Sequence, residues 1–193
     1  MIAQLKGRLI EKTPTYVVID CSGVGYQLHI SLNTFSKLGG DELCHLFTHF
    51  VVREDAQLLY GFKEKSEREL FRLLISVSGV GSSTAMMILS SLSPEETKNA
   101  ILLNDVNTLK SVKGIGAKSA ERIIIDLKDK IGKVENTDKI STLANNTIKE
   151  EALSALVMLG FSKAPAEKAL SKIVAQTSDI TVEELIKRTL KNL

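Results

Sequence analysis

Two stretches thirty-five residues apart share one spacing of small and apolar residues, SVSGVGSSTAMMIL at Ser76–Leu89 and SVKGIGAKSAERII at Ser111–Ile124. Val77 matches Val112, Gly79 matches Gly114, Val80 matches Ile115, Gly81 matches Gly116, Ala85 matches Ala120 and Ile88 matches Ile123. The pattern is that of a helix that ends, a turn that glycines permit, and a second helix that starts at once. The first backbone N–H groups of such a second helix have no partner inside it, and the helix dipole makes that end positive. Its natural chemistry is to hold an anion, phosphate foremost. Gly81 and Gly116 carry no side chain to obstruct a phosphate backbone, and Ala85 and Ala120 allow close helix packing. The candidate phosphate-binding residues are Gly79, Val80, Gly81, Ser82 and Ser83 in the first copy, and Gly114, Ile115, Gly116, Ala117 and Lys118 in the second, with Arg122 one turn beyond Lys118.

Other readings remain beside this one. Neither copy is a dinucleotide fingerprint, because Thr84 and Ser119 occupy the third glycine position and no strand precedes either copy. A plain connection between helices would use the same glycines, although two in-register copies favour a shared ligand. Lys118 and Arg122 share a helix face and could complete a phosphate clamp or simply solvate a basic surface. Glu54 and Asp55, between two strand-like runs, read by themselves as a solvated turn. His45 and His49 beside Cys44 lack a carboxylate or a second cysteine nearby, so barrel packing or surface is expected rather than a metal site. No catalytic residue, metal site or cofactor is expected: the phosphate loop of ATPases, His-Glu-x-x-His and Gly-x-Ser-x-Gly are all missing from the sequence.

The elements that must position these residues follow from periodicity. Met1–Phe62 contains short runs rich in β-branched and aromatic residues, YVVID, GYQLHI, HLFTHFVV and AQLLYGF, with Gly23 and Gly25 able to supply a turn's positive φ. Five or so short strands in so few residues predict a small barrel of the oligonucleotide-binding type. At Ser66 the period changes to a helical one, with Ser66 and Glu69 spaced as a capping box and Leu70, Leu73, Leu74 and Val77 on one face. Ser93, Pro94 and Glu96 start another helix, ahead of Ala100 and Leu103. Lys133–Thr147 reads as a polar linker, and EALSALVMLGF then opens a bundle of three helices, the second opened by Pro165 and the third capped by Thr181 with Glu184.

The chain has 193 residues, 44% hydrophobic and 25% charged, and a net charge of +2. That composition is globular, and the charge alone does not announce a nucleic-acid protein. The positive excess is local: residues 63–133 carry 12 basic and 9 acidic side chains. Two cysteines without a disulfide framework, apolar runs too short for a bilayer and a start, MIAQLKGRLI, without a signal peptide's apolar core place the protein in the cytoplasm, with no membrane partner.

With the two glycine hairpins, the stretch HFVVREDAQLLYGF and the three-helix end, the whole chain resembles the RuvA family of Holliday-junction-recognition subunits. The resemblance implies an α+β multidomain fold: a five-stranded oligonucleotide-binding barrel at 1–63, a tandem helix-hairpin-helix DNA-binding domain at 64–133, a flexible linker at 134–146, and a three-helix bundle of ubiquitin-associated type at 147–193. It implies a non-enzymatic adaptor for four-way junction DNA in recombination and repair, a homotetramer present as one or two tetramers per junction. Its implied partners are the hexameric RuvB ATPase and the RuvC resolvase. It makes Glu54 and Asp55 an acidic pin, and it makes the bundle, through Leu156, Leu159 and Phe161, the motor-binding part. Members of the family often carry a basic residue where this chain has Ser82 and Ser83, so its first hairpin is expected to bind more weakly. The rival expectation is a helix-hairpin-helix nuclease or glycosylase, for which no carboxylate cluster or Lys–Asp pair stands out.

Overall fold

The structure is a computed structural model and describes residues 1–40, 42–139, 144–176 and 180–192. The chain divides into two compact units, Met1–Val134 and Glu135–Leu193.

The first unit opens with five strands: β1 (Gln4–Lys12), β2 (Tyr16–Cys21), β3 (Val24–Ile30), β4 (Leu43–Val52) and β5 (Gln57–Phe62). They close a barrel in the order β1-β2-β3-β5-β4, with β4 returning to β1. All neighbours are antiparallel except β3 with β5. Alternation in β4 shows why the sequence folds this way: Cys44, Leu46 and Thr48 turn inward and are buried, while His45, Phe47 and His49 lie on the other face. Closure needs one close backbone approach, at Gly7, where a Cβ would stand 2.1 Å from the Asp20 carbonyl oxygen across the β1–β2 pair. At the β2–β3 hairpin the positive φ falls on Ser22 and Gly23, whereas Gly25 lies inside β3 with no left-handed backbone. A short helix, α1 (Leu32–Lys37), links β3 to β4 and has no counterpart in the strand periodicity of the sequence.

Five helices follow, α2 (Lys65–Ile75), α3 (Ser82–Ser91), α4 (Pro94–Leu102), α5 (Val106–Lys110) and α6 (Ala117–Lys139), the last running past Val134, where the first unit ends. The expected capping box at α2 does not form. The helix begins at Lys65, Ser66 lies within it, and the Glu69 carboxylate is taken by Arg68 and Arg72, each at 3.0 Å. At α4 the box does form, with Pro94 at the first helical position. Ala100 and Ile101 face the core there, and Leu103 points to solvent. One hydrophobic core runs from Tyr60 and Phe62 of the barrel through Phe71, Leu74 and Val77 to Ile123 and Leu127, so the barrel and the helices pack as one body.

A buried carboxylate pins that junction. Glu67 of α2 is fully buried and accepts from the Ser31 hydroxyl at 2.5 Å and from the Thr34 hydroxyl at 2.7 Å, while Thr34 Oγ1 accepts from Lys63 N–H at 3.1 Å. Glu67→Ala leaves two buried hydroxyls without their acceptor and opens a void, an expected loss of about 2–4 kcal/mol. Urea unfolding of the full chain checks this; a midpoint equal to wild type would show that the network stabilises nothing.

The second unit contains α7 (Ala144–Met158), α8 (Lys163–Gln176) and α9 (Val182–Leu190) around a small core of Ala152, Leu156, Ala166, Leu170 and Leu185. Pro165 lies in the first turn of α8, and Thr181 caps α9 by accepting from Glu184 N–H. Within the segment expected to be a linker, α6 extends to Lys139 and α7 starts at Ala144, and residues 140–143 lie outside the described residues.

Candidate nucleic-acid interface

The two matched stretches of the sequence become two hairpins of like geometry, the first between α2 and α3, the second between α5 and α6. Gly79 and Gly114 take φ of +86° and +89°, the left-handed turn conformation that L side chains resist. Val80 N–H donates to the Val77 carbonyl at 3.0 Å, and Ile115 N–H to the Val112 carbonyl at 3.1 Å. The Ser76 and Ser111 hydroxyls donate to the carbonyls of Leu73 and Thr108, both at 2.7 Å. Ala85 N–H and Ala120 N–H close the first helical turns onto the Gly81 and Gly116 carbonyls, both at 3.0 Å. Ala85, Ile88, Ala120 and Ile123 are fully buried in the shared core. The repeat is therefore structural as well as textual, and each copy ends at a helix start whose preceding glycine, Gly81 or Gly116, has open space where a Cβ would be.

This geometry sorts the expected contact set by exposure. Val80 and Ile115 point their side chains into the core and spend their N–H groups within the turn, so they act as pegs that hold the hairpins. Ser82 keeps only 6% exposure, which leaves chiefly its backbone for contact. Gly81, Ser83, Gly116, Ala117 and Lys118 lie on the surface. Among the described residues no ion pair engages Lys118, so its charge is available to an anion. Arg122 is also exposed, yet it reaches back to the first hairpin, where Nη1 donates to the Ser78 carbonyl at 3.3 Å.

The remaining candidates lie elsewhere. Glu54 and Asp55 are both exposed at the tip of the β4–β5 hairpin, closed by Arg53 N–H to the Ala56 carbonyl at 2.8 Å, and among the described residues neither has an ion-pair partner. His49 stacks edge-on against Phe71, and its Nδ1 accepts from Arg72 at 3.4 Å. Burial first, then Arg72 and Arg68, lowers its pKa below the ordinary histidine value. His45 contacts Gln4 and Phe47, and among the described residues no group of three or more His, Cys, Asp or Glu side chains is placed to hold a metal. No helix of the described residues is long and apolar enough to cross a membrane.

In the second unit, α7 ends in a Schellman turn. Gly160 takes φ of +97°, Gly160 N–H donates to Val157 and Phe161 N–H to Leu156. Leu156, expected in the partner-binding set, is a fully buried core residue. The apolar surface at this turn is made instead by Met158 and Leu159, 87% and 62% exposed, with Val157 and Phe161 beside them. The sequence MLGF at 158–161 already marks this turn as an apolar loop, and the structure shows Met158 as its most exposed side chain.

Comparison with known proteins agrees with this layout along the whole chain. The RuvA N-terminal domain matches residues 1–61, the SAM-like helix-hairpin-helix tandem matches 71–129, and the RuvA C-terminal domain matches 147–193. Curated relatives named Holliday junction branch migration complex subunit RuvA are 57% identical in Christiangramia forsetii and 54% in Flavobacterium psychrophilum, each over 100% of both chains. The relative of that name in Bacteroides fragilis is 49% identical, again over 100% of both chains. A closed five-stranded barrel, two matched glycine hairpins on one core, a separate three-helix unit and full-length identity near one half leave one assignment: the chain belongs to the RuvA family.

Proposed function

We propose that this chain is the non-catalytic DNA-binding subunit of a branch-migration complex. It recognises four-way junctions by their structure, holds them open and square, and recruits the RuvB hexameric ATPase, which supplies the force. It acts as a homotetramer in the cytoplasm, one or two tetramers per junction, and presents the junction to the RuvC resolvase. The observation that carries this reading is the pair of matched hairpins fixed on a single core, each with an exposed helix start and a bare glycine before it. Backbone N–H groups and a lysine meet phosphates, not base edges, so they bind DNA without reading its sequence. Selectivity for the four-way form then comes from geometry. Four copies around a junction would bring the Glu54 and Asp55 tips together at its centre, where carboxylates repel phosphates and keep strands apart.

The test is a gel-shift comparison of a four-way junction with a linear duplex of the same sequences, with magnesium and without ATP. Wild type should prefer the junction and cleave neither. Glu54→Gln with Asp55→Asn should bind the duplex as tightly as wild type or tighter, and its preference for the junction should fall on the order of tenfold, about 1.4 kcal/mol. Weaker binding to both DNAs would make the carboxylates ligands or caps, and metal-dependent strand scission would point to a nuclease instead.

A further inference from the structure

The two hairpins are alike in backbone and unlike in charge. Where α6 carries Lys118 and Arg122, α3 carries Ser83 and Met87, so the first hairpin has no cation on its own helix. Arg122 changes that balance. Its Nη1 donates to the carbonyl of Ser78, forty-four residues earlier in the chain, and lies 3.9 Å from the place where a Cβ on Gly79 would be. The guanidinium thus rests against the bare turn of the first hairpin. A guanidinium has five N–H donors, and one bond to a carbonyl leaves four for another acceptor. The reciprocal bond cannot form, because Met87 stands at the equivalent position of α3 and has nothing to donate to Lys113, the counterpart of Ser78.

We propose that Arg122 serves the first hairpin: anchored on the Ser78 carbonyl, it supplies the cation for a phosphate held at Gly79–Gly81 and ties the two hairpins into one binding unit. This rests on the reading that the hairpins bind DNA phosphate. Lys118 remains the cation of the second hairpin, and the clamp expected from the sequence divides into two residues serving different turns. The weak first hairpin expected from Ser82 and Ser83 is thereby compensated from the neighbouring motif.

Background variants locate Arg122 functionally. Gly81→Asp and Gly116→Asp each place a carboxylate at a helix N-cap, a position that accepts Asp well and where the added Cβ meets nothing within 4 Å. Each carboxylate repels phosphate most strongly at its own hairpin. In the full-length protein Arg122→Ala should weaken binding to a four-way junction about threefold to tenfold and lower the salt slope by about one. In the Gly81→Asp background the same change should cost less than about twofold, and in the Gly116→Asp background it should keep its full effect, by the non-additivity of groups that share one ligand. Arg122→Lys should retain the salt slope of wild type with intermediate affinity, since one ammonium cannot both hold the carbonyl and present a planar fork.

The reverse pattern would return Arg122 to the second hairpin and overturn the assignment while leaving the hairpins as phosphate sites. An undiminished effect in both backgrounds, or a salt slope lowered by Lys as much as by Ala, would overturn it equally. Wild-type binding by both glycine variants would instead sink the phosphate reading and this assignment with it.

Discussion

A chain carrying both Gly81→Asp and Gly116→Asp should lose junction and duplex binding together, by at least about a hundredfold at moderate salt, with its thermal stability unchanged. Each substitution removes the helix-start N–H groups from the ligand by capping them internally and adds a charge that repels phosphate. Hydrogen bonds to a charged group contribute about 1.5–3 kcal/mol each, so losing both hairpins amounts to two or more factors of ten. Structure lets the experiment separate binding from folding. Gly79 and Gly114 are held at positive φ, and any side chain there strains the turn itself, whereas Gly81 is extended, Gly116 is not at positive φ, and both face open space. Electrophoretic mobility shift and a melting curve on the same preparation provide the check. Binding within threefold of wild type would reduce the hairpins to packing turns.

What the sequence made legible was whatever is written in local period or in backbone chirality. The strands of the barrel alternate over five or more residues, and the glycine hairpins announce themselves because few residues other than glycine occupy their turns comfortably. Helix α1 escaped, since six residues of LNTFSK are too few to show a period and its cap, Ser31, is held by a carboxylate on a distant helix. The Ser66–Glu69 spacing matched a capping box, yet Arg68 and Arg72 compete for the same carboxylate, and the helix starts two residues earlier than that box would place it, with Glu64 as its N-cap. Spacing also could not tell which way an apex residue points. Val80 and Ile115 are correctly placed at the hairpins, but only the shared core shows that they face inward. Arg122 is the extreme case, because its partner is a carbonyl in the other repeat and no pattern in sequence encodes that approach.

At the far end of the chain, Met158→Asp with Leu159→Asp should leave the three-helix unit folded and junction binding at the wild-type level, yet abolish stimulation of the RuvB ATPase and branch migration. Both side chains lie mostly in solvent, so charging them costs the fold little, within about 0.5 kcal/mol each. They flank a Schellman turn whose glycine fixes the chain direction, and with Val157 and Phe161 they give a small unit an apolar projection beyond what its core requires. Such an apolar knob is the kind of surface that concentrates binding energy in a few residues. Leu156→Asp provides the contrast: it places a charge in the core beside Ala152 and Leu170, so it should unfold the unit and lose motor stimulation for a different reason, visible as lost helicity. If the Met158/Leu159 variant drives branch migration with RuvB as well as wild type does, the motor docks elsewhere, and the exposed turn of α7 is not its seat.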